Sequence, residues 1–74
     1  MELGFNLGLL MFTHKVTGRQ LAKVSGLSEV AVSELRNKKV LPEIGGRKLG
    51  LLAKSLSQIT GLSITPIDLV SNII

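Results

Sequence analysis

The strongest constraint on the fold is a single glycine, Gly26, placed between two short amphipathic segments. Upstream of it, Thr17 is followed three residues later by Gln20, which is the spacing of a capping box at the start of a helix. Gly26 is the residue type that ends a helix in the left-handed conformation without strain. Ser28 then supplies a cap for the next helix. The sequence therefore predicts two short helices joined by a tight turn, over residues 17–25 and 29–37.

Three further segments carry apolar residues at helical spacing, so the chain predicts five helices and no strand. The first of these segments covers residues 3–13, and the second covers about residues 46–60. Thr65 and Pro66 mark the start of a short and very apolar last helix, because a cap followed by proline is a common helix start. We expect an all-α fold, in one domain that covers residues 1–74.

Composition argues against several classes of protein. Cysteine is absent, so the chain has neither disulfides nor thiolate metal ligands. His14 is the only histidine and has no acid near it in the sequence, which gives little support to a metal site or a nucleophilic site. The glycine-rich residues 45–50 lack the Gly-Lys-Ser/Thr ending of a phosphate-binding P-loop. We therefore expect neither enzymatic activity nor a cofactor.

The sequence pattern also predicts neither a membrane span nor an export signal. The longest unbroken apolar run covers residues 9–12, whereas a helix that spans a bilayer needs about 20 apolar residues. The N-terminus has Glu2 where a signal peptide has a basic segment, and no cleavage-like site follows. A cytoplasmic protein without membrane association is expected.

Basic residues are concentrated in the middle of the chain. All nine lie between Lys15 and Lys54, and the same window contains only three acids, so its net charge is +6. The flanks are apolar and contain one acid each, Glu2 and Asp68. A basic middle between apolar ends indicates a surface that faces a polyanion, with self-association surfaces elsewhere. The alternative interpretation is that the lysines only solubilise a small domain.

The predicted helix over residues 29–37 has two distinct faces at 100° per residue. Val32 and Leu35, with Ala31 beside them, point toward the core. The opposite face consists of small and polar residues, namely Val30, Ser33, Glu34 and Asn37, with Glu29 and Arg36 at its margins. Such a face allows a helix to approach base edges closely. With the helix over residues 17–25 that braces it, this helix has the layout of a helix-turn-helix, although an ordinary solvated face is the alternative.

Apolar positions, a central glycine and a cap recur at fixed spacing through residues 17–42. The pattern consists of Leu21-Ala22, Gly26-Leu27-Ser28, Val32-Ser33, Leu35 and Asn37. It is similar to the helix-turn-helix of phage repressors and Cro proteins, the Xre-like regulators. The resemblance implies a compact five-helix bundle like that of lambda repressor, found in a bacterium, phage or plasmid. It also implies that the protein binds double-stranded operator DNA as a homodimer.

The resemblance further assigns roles to individual residues. Base reading falls to the outward face of the third helix, at Glu29, Val30, Ser33 and Glu34. Phosphate contacts fall to the start of the second helix and to the loop after the third, at Thr17, Arg19, Asn37, Lys38 and Lys39. To these we add the neighbouring cations Arg36, Arg47 and Lys48. The apolar last helix is the dimer surface that we favour, at Ile67, Val70, Ile73 and Ile74.

Two alternatives come from other classes of protein. In the first helix, Leu9 and Phe12 widen the apolar stripe beyond what one small core needs. An antitoxin or similar protein would use this helix to bind a protein partner, and its DNA binding would only autoregulate. An assembly module would have lost DNA binding, and its apolar ends would drive oligomerisation.

Overall fold

Four α-helices and one small antiparallel sheet form the fold, within the residues that the structure describes. The computed structural model describes the backbone of residues 2–73 and the side chains of residues 3–70. In chain order the elements are β1 (Glu2–Phe5), α1 (Leu7–Thr13), α2 (Gly18–Ser25), α3 (Glu29–Arg36), α4 (Gly46–Thr60), a 3-10 helix (Pro66–Leu69) and β2 (Val70–Ile73). The protein is mostly helical and compact, with a radius of gyration of 11.2 Å.

The prediction of a helix over residues 3–13 is wrong in its first part, because residues 2–5 form strand β1. This strand pairs with β2 in antiparallel register, with Gly4 opposite Ser71, and its other edge bonds to residues 39–41. In a helix, Gly4 would cost about 1 kcal/mol relative to alanine. As a strand, the segment instead hydrogen-bonds on both edges, and Phe5 enters the core. The helical part of the prediction survives as α1.

The predicted last helix begins where expected but ends after one turn. The Thr65 N–H donates to Oδ2 of Asp68 (2.8 Å), so the expected cap is present. At Val70 the backbone becomes extended, with φ −116° and ψ 134°, and β2 follows. The Asn6 N–H donates to the Leu69 carbonyl oxygen (2.8 Å), which continues the pairing of β1 with this segment. The described chain thus has four α-helices and a strand pair where the sequence predicted five helices.

Local signals at α2 and α3 act as the sequence predicts. The Gln20 N–H donates to Oγ1 of Thr17 (3.1 Å) and the Thr17 N–H donates to Oε1 of Gln20 (2.9 Å), which completes the capping box. Gly26 has φ 81°, and its N–H donates to the last turn of α2. Oγ of Ser28 accepts from the Ala31 N–H (3.0 Å) and starts α3. Because each signal acts within four residues, the tertiary fold does not override it.

The core is mostly aliphatic, with Phe5 as its one aromatic side chain, and draws residues from all four helices, β1 and the 3-10 helix. Its fully buried side chains are Leu7, Met11, Leu21, Val32, Leu52, Leu56 and Leu69. α1 packs closely on the end of α3, since a Cβ at Gly8 would overlap the carbonyl oxygen of Arg36. Only glycine therefore permits this approach of the two helices.

Candidate functional site

The start of α2 and the outer face of α3 border one depression in the surface. Its lining consists of Gly18, Arg19, Glu29, Val30, Ser33 and Arg36. Three of the four predicted base-reading residues therefore lie beside two of the predicted phosphate-binding cations. Glu34 is exposed on α3 but does not line the depression.

The two faces of α3 are divided as the sequence predicts. Val32 is fully buried, Leu35 is half-buried against the core, and Ala31 is half-buried. Val30 is 68% exposed. Ser33 beside it is also exposed. The outer face of α3 therefore offers a methyl-bearing and a hydroxyl-bearing side chain, both free of the core.

Arg36 connects the end of α3 with the start of α2. Its Nη1 atom would lie 3.8 Å from a Cβ placed on Gly18, so the guanidinium approaches the first residue of α2. No acid lies in the first turn of α2. The first amides of a helix have no partner within the helix and carry partial positive charge. A guanidinium beside them makes this a place where an anion would be stabilised.

The loop after α3 holds the other predicted phosphate contacts in a fixed position. Asn37, Lys38 and Lys39 are all exposed. The Lys39 carbonyl oxygen accepts from the Phe5 N–H (2.9 Å), so strand β1 fixes the backbone of this loop. The sequence pattern does not indicate this support, because its apolar spacing predicts that residue 5 lies in a helix.

The remaining predicted phosphate contacts are separate from this group or are already engaged. Arg47 and Lys48 are exposed in the first turn of α4. They line neither the depression that contains Arg19 nor a second depression, which lies beside β1 and contains Lys38. Thr17 is exposed, and its hydroxyl oxygen already accepts a hydrogen bond from the Gln20 N–H at the start of α2. Arg36 lines both the depression that contains Arg19 and the one that contains Asn37, Lys38 and Lys39, whereas Arg47 and Lys48 line neither.

The predicted dimer residues are only partly described. Ile67 is 81% exposed, the highest value among the large apolar side chains described. Val70 is half-buried at the start of β2. The side chain of Ile73, and all of Ile74, lie outside the described residues. An apolar surface at the C-terminal end of the described chain is thus present at Ile67.

The hydrogen bonds of the described side chains leave the basic residues available for ligands. These bonds are made by serine, threonine, asparagine, glutamine and aspartate side chains, and none involves a lysine or an arginine. Within the same part of the chain, no group of three His, Cys, Asp or Glu residues could hold a metal ion. Nor is any helix described here of the length and apolarity needed to cross a membrane.

Comparisons with known proteins found no matching family model, no matching curated protein and no matching solved structure.

Proposed function

We propose that the protein is a sequence-specific DNA-binding regulator, in the simplest case a repressor, that binds a palindromic operator as a dimer. The observation that carries this proposal is the depression between α2 and α3. Its lining combines two small exposed residues, Val30 and Ser33, with Arg19, Arg36 and Glu29. α2, the turn at Gly26 and α3 would then act as a helix-turn-helix, with α3 as the reading helix.

The dimensions of α3 support this role. A helix with its side chains is about 10–12 Å in diameter and the major groove is about 12 Å wide, so α3, with eight residues, can enter the groove. Val30 would contact a thymine methyl group, and the Ser33 hydroxyl would donate to or accept from a base edge. Glu29 and Glu34 would each accept from a cytosine amino group. Since they also repel phosphates, they would contribute to the choice of sequence more than to affinity.

The cations around α3 would supply most of the affinity. Each phosphate that a lysine or arginine neutralises releases counterions, which makes binding depend steeply on salt. Lys38 and Lys39 lie on a loop whose backbone is tied to β1, so little ordering would be needed when they meet a phosphate. The Arg36 guanidinium at the start of α2 would hold a further phosphate.

The first experiment is a selection of bound sites from a random pool of double-stranded oligonucleotides. We expect enrichment of a palindrome whose half-sites are about 34 Å apart, because a two-fold dimer places its reading helices one DNA turn apart. Val30→Ala and Ser33→Ala should then change the preferred base at single positions, by about 1–3 kcal/mol each.

The second experiment tests which cations contact DNA. The double variant Lys38→Ala/Lys39→Ala should weaken binding to every sequence and reduce the slope of log K against log salt by about 2. The matched control is Lys23→Ala/Lys54→Ala, which removes the same charge from exposed positions that line neither depression around α3. If the two double variants have equal slopes of log K against log salt, the proposed DNA contact at Lys38 and Lys39 is wrong. No affinity for DNA at low salt, together with a stable oligomer, would favour the assembly module.

A further inference from the structure

Two large apolar side chains of α1 point away from the core. Leu9 is 63% exposed and Phe12 is 76% exposed, whereas Leu7 and Met11 on the other face of the helix are fully buried. Leu9 and Phe12 are three residues apart, so they lie one above the other along one face. An aromatic side chain with this exposure adds nothing to the core, and paired apolar residues of this kind typically mark a contact surface.

These side chains border a depression between α1 and the start of α2, which we call the α1 groove. Its walls include Leu9, Phe12, Val16, Lys15, Thr17 and Arg36. Val16 contributes an apolar floor, since only 5% of it is exposed. Lys15 and Arg36 supply the charge, and the lining contains no acid. The groove therefore combines an apolar ridge with a positive rim.

The backbone fixes the position of Lys15 at this rim. Lys15 has φ 56°, the only positive φ outside glycine among the described residues. Its N–H donates to the Phe12 carbonyl oxygen (3.3 Å), and the Val16 N–H donates to the Met11 carbonyl oxygen (2.8 Å). This is the Schellman arrangement that ends a helix, and its left-handed position usually holds glycine. The protein has a lysine there, which places an ammonium group beside the apolar ridge.

We propose that the α1 groove binds an acidic amphipathic helix of a partner protein. The apolar face of such a helix would cover Leu9 and Phe12, since residues three and four apart on a helix match a ridge of the same spacing. Its carboxylates would meet Lys15 and Arg36. A second copy of this chain is a poor occupant, because two-fold pairing of the groove would place these cations against their own copies. DNA is a poor occupant too, because phosphates gain nothing from an exposed phenylalanine and leucine.

The groove also has a consequence for regulation, which rests on the DNA binding proposed above. Arg36 lines both the α1 groove and the depression between α2 and α3. One guanidinium cannot serve a partner carboxylate and a DNA phosphate fully at once. The acidic helix would therefore lower the affinity for DNA, and by linkage DNA would lower the affinity for the helix by the same factor.

The test uses two designed helical peptides with the same leucines at helical spacing, one flanked by glutamates and its twin by lysines. Binding to the whole chain is measured without DNA, by fluorescence anisotropy and by NMR shifts of backbone amides. We expect the glutamate peptide to bind about 10-fold or more tightly than its twin, with the largest shifts at Leu9, Phe12, Lys15 and Arg36. Equal binding of the twins, no binding of either, or shifts confined to another surface would overturn the proposal.

Variants separate this groove from the proposed dimer surface. Phe12→Ser should weaken binding of the glutamate peptide about 10-fold or more. Lys15→Ala should weaken binding of the glutamate peptide severalfold and should slightly strengthen binding of the lysine twin, because it removes a repelling charge. Ile67→Ser, which alters an equally exposed apolar side chain elsewhere, should leave peptide binding unchanged. If Phe12→Ser instead breaks a dimer or weakens DNA binding without peptide present, the groove belongs to those interfaces. If the unaltered protein does not bind DNA at all, only the proposed competition between DNA and the helix is refuted, and peptide binding still tests the groove.

Discussion

At the scale of single residues, Lys15 is the position where backbone geometry and side-chain chemistry conflict. A left-handed conformation costs a non-glycine residue about 1–2 kcal/mol, and glycine avoids this cost. Glycine also adds freedom to the unfolded chain, which offsets about half of the gain. The lysine is therefore unfavourable for folding at the end of α1, and the free energy of unfolding should respond to its replacement.

We predict that Lys15→Gly stabilises the fold by about 0.5–1 kcal/mol and raises Tm by about 2–8 °C. The measurement is urea and thermal unfolding, followed by circular dichroism. Lys15→Ala is the matched control, because it removes the same ammonium group but keeps a Cβ at φ 56°. If both variants are more stable than the unaltered protein by the same amount, the charge of Lys15 and not its backbone conformation determines the change in stability.

Arg36 is a residue whose surroundings depend on distant parts of the chain. Its carbonyl oxygen meets the backbone at Gly8, and its guanidinium reaches the start of α2. Its side chain therefore lies where α1, α2 and α3 converge. Nothing in the sequence pattern around Arg36 indicates this position, because the close approach depends on Gly8, which is 28 residues earlier in the chain.

At the scale of elements, the sequence predicts those parts of the fold that short-range interactions determine. Helices α2, α3 and α4 begin and end within a residue or so of the predicted positions, because Thr17, Ser28, Gly26 and Gly61 act on their own turns. Strands β1 and β2 are about 65 residues apart in the chain, and each has only four residues. Neither has an alternating pattern long enough to identify it, so apolar spacing alone predicted helices.

Substitution of a β1 residue by proline would distinguish the observed strand from the predicted helix. Gly4 lies opposite Ser71, and its N–H faces β2 because the neighbouring groups of Leu3 and Phe5 bond to residues 39–41. Gly4→Pro should therefore lower the free energy of unfolding by at least about 2 kcal/mol, through a lost ladder bond and an unsatisfied acceptor. In the first turn of a helix, the same substitution would cost little.

The control for this prediction is Gly46→Pro in the first turn of α4. A proline is well tolerated at the first helical position, Gly45 before it is extended with ψ 159°, and the space around Gly46 is open. The control should leave the urea midpoint unchanged or raise it slightly. A Gly4→Pro variant as stable as this control would contradict the pairing of β1.

At the scale of the whole molecule, the basic residues around α3 and the exposed apolar side chain of Ile67 come from different parts of the chain. The cations that surround α3 come from residues 19–39, whereas the most exposed aliphatic side chain, Ile67, lies next to β2. The charge segregation was predictable from the sequence alone. The position of Ile67 was predicted as part of a helix and is instead on a single 3-10 turn, so a dimer that buried Ile67 would form around that turn.

The last prediction concerns that dimer. Burial of Ile67 against a second copy would contribute about 1.5–3 kcal/mol per side chain, so Ile67→Ser should weaken self-association by 10-fold or more. In the monomer the substitution should cost little stability, because the side chain is 81% exposed. Sedimentation at a series of concentrations measures the association, and Phe12→Ser is the control for loss of an exposed apolar side chain.

The same variants should also differ in DNA binding, because a dimer is needed to hold two half-sites at once. The Ile67→Ser protein should bind a palindrome and an isolated half-site with similar affinity, whereas the Phe12→Ser protein should still prefer the palindrome. If Ile67→Ser leaves both self-association and this preference intact, the dimer forms through another surface.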